Sequence, residues 1–356
     1  MSQISRREFL RMLAAAAGSL ALQRLLSACG IKPTSELQPN LTSTKPSPTQ
    51  FPSATPYTPS PSETAVEVVP TPTATTVAAA TSTPLPPGSP DLVVARGSDP
   101  ETIVYRALEA YGGMGTFVPQ DARVIIKPNI CVAYNTYEYA STTNPWVVAA
   151  LVKACLEAGA RSVQVMDLPF GGTQEQAYVK SGIGEQVEAA GGEMVFMPGF
   201  QYVSADIPNG VDLKNTKIFG GVLDADVLIN VPIAKHHSLS VLTLGMKNLM
   251  GLIQDRPMIH QNLGQRLADL TSLFRPTLTV IDAVRILMAN GPTGGRLDDV
   301  KQMDTVIVSP DIVAADSYAT TLFGKRPEDI PSIPTAAAMG LGRSDWQNLK
   351  LEEITA

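Results

Sequence analysis

From Asp91 onward, short apolar runs closed by Pro, Asp or Gly alternate with stretches of helical spacing. Leu92 to Ala95 is the first such run. Ser98-Asp99-Pro100-Glu101 then supplies a capping side chain and a proline at the first turn, so a helix follows. Arg123-Val124-Ile125-Ile126-Lys127 predicts a buried strand closed by Pro128. Asn144-Pro145 opens a helix that Gly159 ends. Ser162 to Met166 predicts a strand ending at Asp167, and Thr173 to Ala190 a helical stretch broken at Gly182 and Gly184. Glu193 to Met197 and Val227 to Val231 read as strands, the second stopped by Pro232. Leu263 to Phe274 is amphipathic. Leu278 to Ile281 predicts a strand ending at Asp282, and Thr305 to Val308 a late strand before a helix over Ile312 to Phe323. Apolar strands alternating with helices predict an α/β fold. Its sheet is mostly parallel with helices on both faces, a Rossmann-like arrangement.

The first ninety residues follow another pattern. Ser5-Arg6-Arg7-Glu8-Phe9-Leu10 is a basic head, and Met12 to Leu22 is an apolar run too short to span a bilayer comfortably. The pairing resembles a twin-arginine export signal carried by Arg6 and Arg7, which implies the twin-arginine export machinery as a partner; Arg11 and Arg24 fit it. Leu26-Ser27-Ala28-Cys29 resembles a bacterial lipobox. It implies cleavage before Cys29 and a diacylglycerol on that sulfur, the alternative being an uncleaved signal anchor. The expected location is therefore outside the cell, lipid-anchored to the outer face of the cytoplasmic membrane. Pro, Thr and Ser dominate up to Pro90, with no apolar periodicity to offset the entropy of ordering. The expected organisation is a signal peptide over 1–28, a lipidated Cys29 with a disordered linker over 29–90, and one α/β domain over 91–356.

Composition narrows the classes. A hydrophobic content of 44% with 17% charged residues is enough to bury a core. The net charge of −6 gives no electrostatic case for nucleic acid. Cys131 and Cys155 could pair outside the cell, but Cys155 shares the apolar side of its helix with Val148 and Leu151, which favours two buried free thiols. Two cysteines cannot hold a four-cysteine iron–sulfur cluster, and none is expected.

Open parallel sheets bind ligands beyond the carboxyl ends of their strands. Four predicted strands deliver polar groups there: Lys127 and Asn129; Asp167, followed by Gly171-Gly172; Lys235, His236 and His237; and Asp282, with Asn290-Gly291-Pro292 close behind. Adjacent histidines on a strand point to opposite faces, so at most one of the two is expected to enter the crevice, which argues against a metal site using both. Lys247-Asn248 follows within Thr243 to Gly251, where Gly245 and Gly251 permit close backbone approach. Clustered Lys127, Lys235 and Lys247 either hold an anion or depress one another's pKa, leaving a neutral lysine as base or nucleophile. The expected catalytic groups are Lys127, Lys235 and His236. Asn129, Asp167, Lys247, Asn248, Asp282, Gly291 and Asp316 are the expected substrate-binding groups, Asp316 alternatively capping a loop. His260 reads as structural. No Walker loop, dinucleotide fingerprint, nucleophile elbow or His-Glu-x-x-His occurs.

Ile126-Lys127-Pro128-Asn129, Asn230 to His237, Thr243 to Asn248, Ile281-Asp282-Ala283 with Gly291-Pro292, and Ser309 to Asp316 together resemble the domain of unknown function 362 family, over almost all of Asp91 to Gly342. Many members carry a ferredoxin-like module with cysteine ladders; this chain lacks those cysteines. The family is faintly similar to lactate racemase-type proteins, which place lysine and histidine around a nickel-bearing cofactor. The resemblance leaves a metal or bound cofactor open. Three functions compete: an enzyme acting on a small anionic or carbonyl substrate with Lys/His acid–base groups, a tethered solute- or cofactor-binding protein, and a cofactor-bearing oxidoreductase accessory protein.

Overall fold

A computed structural model describes residues 85–356. Arg6, Arg7, Cys29 and the linker up to residue 84 lie outside the described residues. From Leu85 the chain already contacts the body: Leu85 packs partly buried against one core, and the Lys350 ammonium reaches the Gly88 carbonyl.

Strand β1 (Leu92–Arg96) leads to helix α1 (Pro100–Glu109), whose N-terminal amide at Thr102 is accepted by the Asp99 side chain. β2 (Arg123–Pro128) is followed by α2 (Pro145–Glu157), capped by Asn144. β3 (Ser162–Val165) precedes α3 (Gln174–Lys180) and α4 (Ile183–Ala189). The break between these helices falls at Gly182, whose φ of 77° suits glycine; Gly184 lies inside α4. β4 is only Glu193–Met194. A separate hairpin joins β5 (Tyr202–Asp206) to β6 (Asn215–Phe219). β7 (Val227–Val231) meets Pro232, and the chain resumes as β8 (Ile233–His237), which pairs with β9 (Val241–Thr243). The short helix α5 (Gly245–Asn248) and then α6 (Leu263–Phe274) follow. β10 (Leu278–Leu287) and β11 (Val300–Ser309) are long antiparallel partners. α7 (Ile312–Ala319), α8 (Ser332–Ala338) and β12 (Leu351–Thr355) complete the chain.

The main sheet runs β12-β1-β11-β10-β7-β2-β3-β4, with β8 and β9 attached at β10. It is mixed but mostly parallel, as expected; β11 is antiparallel to both its neighbours. The alternating side chains of each strand feed two cores. Val93, Val124, Ile126, Ile229 and Val308 pack with α1, α2 and α4 on one face. Leu92, Ile125, Leu228, Ile281 and Ile307 pack with α6, α7 and α8 on the other. Both faces are thus covered, which is why the central strands are apolar throughout. Cys131 and Cys155 are free and buried, and burial pushes the Cys155 thiol up. Among the described residues no helix is long and apolar enough to cross a membrane.

Candidate functional site

β2 explains how a lysine comes to be buried. Ile125 and Lys127 share a face by strand alternation, and Lys127 lies at the carboxyl end beside Asn230 of β7. Its side chain is fully buried, so each ammonium hydrogen needs an acceptor. Nζ donates to Pro128 O at 2.9 Å and Asn248 Oδ1 at 2.8 Å, and it pairs with Asp167 Oδ1 at 2.8 Å. Burial pulls the Lys127 pKa down while Asp167 opposes it. We assign a protonated Lys127, because three acceptors match its three donors. Asp167 is held in turn by the amides of Ile130 at 2.6 Å and Leu168 at 2.9 Å.

The network continues without a gap. Asn248 Nδ2 donates to Lys127 O and to Asn230 Oδ1, while its Oδ1 also accepts from Asn129 Nδ2 at 3.0 Å. Asn129 Oδ1 accepts from Lys235 Nζ at 2.9 Å, and Lys235 donates again to Ser141 O at 2.6 Å. Lys235 is 1% exposed and has one ammonium hydrogen left. Its neutral partners leave its charge uncompensated.

These groups line one cavity of about 560 Å³ beyond the carboxyl ends of β2, β3 and β8. Lys127, Asn129, Asp167, Lys235, Lys247 and Asn248 meet there. The wall also includes Arg256, whose guanidinium donates to the carbonyls of Leu168 and Pro169 rather than to a carboxylate. The charged lining is therefore four cations, Lys127, Lys235, Lys247 and Arg256, against the single carboxylate of Asp167. The chain as a whole carries −6. Lys247 responds to this field: burial first, then the charges of Lys235, Arg256 and Lys127, lower its pKa to about 8. Thr243, opposite Lys235 in the β8–β9 register, lines the same wall with a buried hydroxyl that has no partner among the described residues.

The two histidines divide as strand alternation requires, but the other way from the expected pair. Lys235 and His237 are two residues apart and share the cavity face, while His236 lies on the opposite side. His236 Nδ1 accepts from the Gly291 amide, so neither residue lines the cavity. In His237, Nδ1 accepts from the amides of Leu239 at 3.1 Å and Ser240 at 3.3 Å, which assigns the proton to Nε2. Burial and then Lys247 and Lys235 push its pKa down to about 3. His237 is thus a neutral N–H donor near physiological pH.

Two expected binding carboxylates are also placed elsewhere. β10 continues through Asp282 to Leu287, so Asp282 lies inside the sheet, where it accepts from the amides of Asn144 and Val284. Burial raises its pKa to about 6. Asp316 accepts from the amides of Gly245 at 2.6 Å and Met246 at 3.0 Å. It anchors the start of α5, the helix that carries Lys247 and Asn248, and burial raises its pKa to about 7. A Cβ at Gly245 would lie 2.7 Å from Asp316 Oδ1, so the contact requires glycine. His260, expected to be structural, lies exposed on the cavity wall. Arg256 has no sequence signature. A period-of-two reading from Lys235 selects His237.

Among the described residues no group of three or more His, Cys, Asp or Glu is gathered as a metal ligand set. The four-cation lining repels a bare metal ion and suits an anion.

The family described as "Domain of unknown function (DUF362)" matches residues 124–321, more than half of the chain. A thylakoid-associated protein of Synechocystis sp. is 28% identical over 243 residues, covering 66% of this chain and 73% of the relative. Among solved structures, the lactate racemase apoprotein from Thermoanaerobacterium thermosaccharolyticum aligns with a TM-score of 0.41 and 14% identity. That alignment covers 67% of this chain and 58% of the other's length.

Proposed function

The chain belongs to the domain of unknown function 362 family, and from that premise we propose that its cationic cavity binds an organic acid and moves a proton on it. The observation that carries this reading is the charge imbalance, four cations to one carboxylate, with Lys247 brought near pH 8. Lys235 and Arg256 hold the anionic group of the substrate, and Lys127 stays locked in its network as a fixed positive charge. His237 Nε2–H and the Thr243 hydroxyl donate to a carbonyl or hydroxyl oxygen. Lys247 is the proton-moving group: with a pKa of about 8, roughly a tenth of it is neutral at pH 7. This assignment moves the acid–base role from Lys235 or His236 to Lys247.

The test is exchange of the C2 hydrogen of a panel of α-hydroxy acids, and of the C3 hydrogens of the matching α-keto acids, with deuterated solvent, followed by proton NMR. The wild type exchanges at least one substrate, faster as pH rises through about 8. Lys247→Met and Lys247→Arg lower the rate by ~100-fold or more, and Lys247→Arg keeps binding. Equal rates in all three proteins would remove Lys247 from the chemistry. Tight binding with no exchange by any acid would select the alternative, a solute-capturing protein.

We further propose that the body works outside the cytoplasmic membrane on a lipidated Cys29, exported folded through the Arg6-Arg7 signal. The sequence pattern supports this. Radiolabelled palmitate incorporated into the wild type and absent from Cys29→Ser is the expected result. Equal labelling of both would contradict it.

A further inference from the structure

We infer that the organic acid is amphiphilic: a charged head seated on the lysine floor and an apolar tail leaving through the mouth. This rests on the anion-binding reading above and specifies the class of ligand.

The cavity has a polarity gradient. Three of its charged groups lie deepest: Lys127, Lys235 and Asp167 are all under 3% exposed, while Lys247 and Arg256 are half-buried. The orphan hydroxyl of Thr243 is at the same depth, at 3%. Apolar side chains of Ile130 and Met250 line the wall beside them. At the mouth the lining turns to exposed apolar groups, Phe170 at 70% and Leu239 at 65%. An exposed phenylalanine and leucine on the rim of one cavity gain nothing from water. A tail passing between the floor and this rim would cover them.

Size points the same way. About 560 Å³ is the share of roughly 19 waters at ~30 Å³ each. A three-carbon hydroxy acid would leave most of that space to water. A carboxylate of about eight to twelve carbons takes up roughly half to two thirds of it. The charge pattern fixes the orientation: Lys235 on the floor has only neutral partners, whereas Phe170 and Leu239 at the rim are apolar.

The experiment is calorimetric titration of the full chain with straight-chain carboxylates from acetate to dodecanoate, each below its micelle concentration, with the matching alcohols as neutral controls. Affinity rises about three- to fourfold per methylene up to about eight to twelve carbons and then levels. The alcohols bind at least tenfold more weakly than the acids. Phe170→Ser with Leu239→Ser flattens the chain-length slope and keeps acetate binding, and Lys235→Met weakens every acid. Equal affinity for acetate and decanoate, with both lost in Lys235→Met, would overturn the amphiphile and leave the anion site standing. Failure of all acids to bind, short or long, would overturn both readings. Pelleting with phosphatidylglycerol vesicles that depends on Phe170 and Leu239, without binding of monomeric acids, would assign the rim to a membrane surface and overturn the inference.

Discussion

Replacing Asp167 with Asn removes the only carboxylate that faces Lys127 among the described residues and leaves a fully buried ammonium with neutral acceptors alone. Asp167 accepts from the Lys127 ammonium at 2.8 Å and from two amides at 2.6 and 2.9 Å. The asparagine amide group would turn a donor toward one of these three donors. Removing one partner of a buried pair costs about 3–5 kcal/mol, because the remaining charge stays desolvated. With a urea slope of about 3 kcal/mol per molar, the midpoint falls by ~1–1.7 M. Lys127→Met with Asp167→Leu deletes both charges together and is expected to cost less than Asp167→Asn alone. The assay is urea unfolding followed by tryptophan fluorescence and far-ultraviolet circular dichroism in parallel, since a body of this size needs a check for intermediates. A midpoint shift under about 0.3 M for Asp167→Asn, or a double variant less stable than the single, would refute the assignment of a charged, mutually dependent pair.

Other outcomes follow from the same geometry. Gly251→Ala places a methyl 2.5 Å from Lys127 Nζ and against Asp167, in a network with no slack, and is expected to cost about 1–3 kcal/mol of stability in the same urea assay. Wild-type stability would contradict the packing. Asp316 has a folded pKa of about 7 against an ordinary 3.8, so the stability it contributes is fully present below pH 4 and is lost as pH rises through 7. Asp316→Asn is expected to lower stability by about 1–2 kcal/mol at pH 4 and to flatten the decline between pH 4 and 7, leaving the smaller share from Asp282. Thermal midpoints across that range check it; an unchanged slope would place the titration elsewhere. Anion affinity is expected to fall above pH 8 in the wild type and to persist in Lys247→Arg, measured calorimetrically with a short carboxylate.

Much of the scaffold was legible because its signals are local. The apolar run Val124 to Ile126 with Pro128 after it, and the Asn144-Pro145 cap, specify β2 and α2 from single-residue chemistry. The convergence of Lys127, Asp167 and Lys235 follows from a rule about parallel sheets and needs no detail of packing. What escaped depends on long-range pairing. Pro232 interrupts β7, but the chain resumes as β8 because β9 and β10 lie ready to pair with it. β10 runs past Asp282 because β11 offers a partner along its length. The half-exposed Leu351–Thr355 strand has no continuous apolar run and is recruited by the edge of β1. Arg256 reaches the cavity through backbone carbonyls of Leu168 and Pro169, contacts with no spacing signal. Two residues on from Lys235 along β8, His237 rather than His236 shares the cavity face, as a period of two requires.

Burial, and then the excess of positive charge in one cavity, loosens the proton on Lys247. Carbon-13 labelling of the lysine ε-positions, with Lys247→Arg to assign the resonance, reads that proton directly in a pH titration. The expected midpoint for Lys247 is about 8, moving upward when a carboxylate occupies the cavity. A midpoint above 10, unmoved by carboxylate, would contradict it.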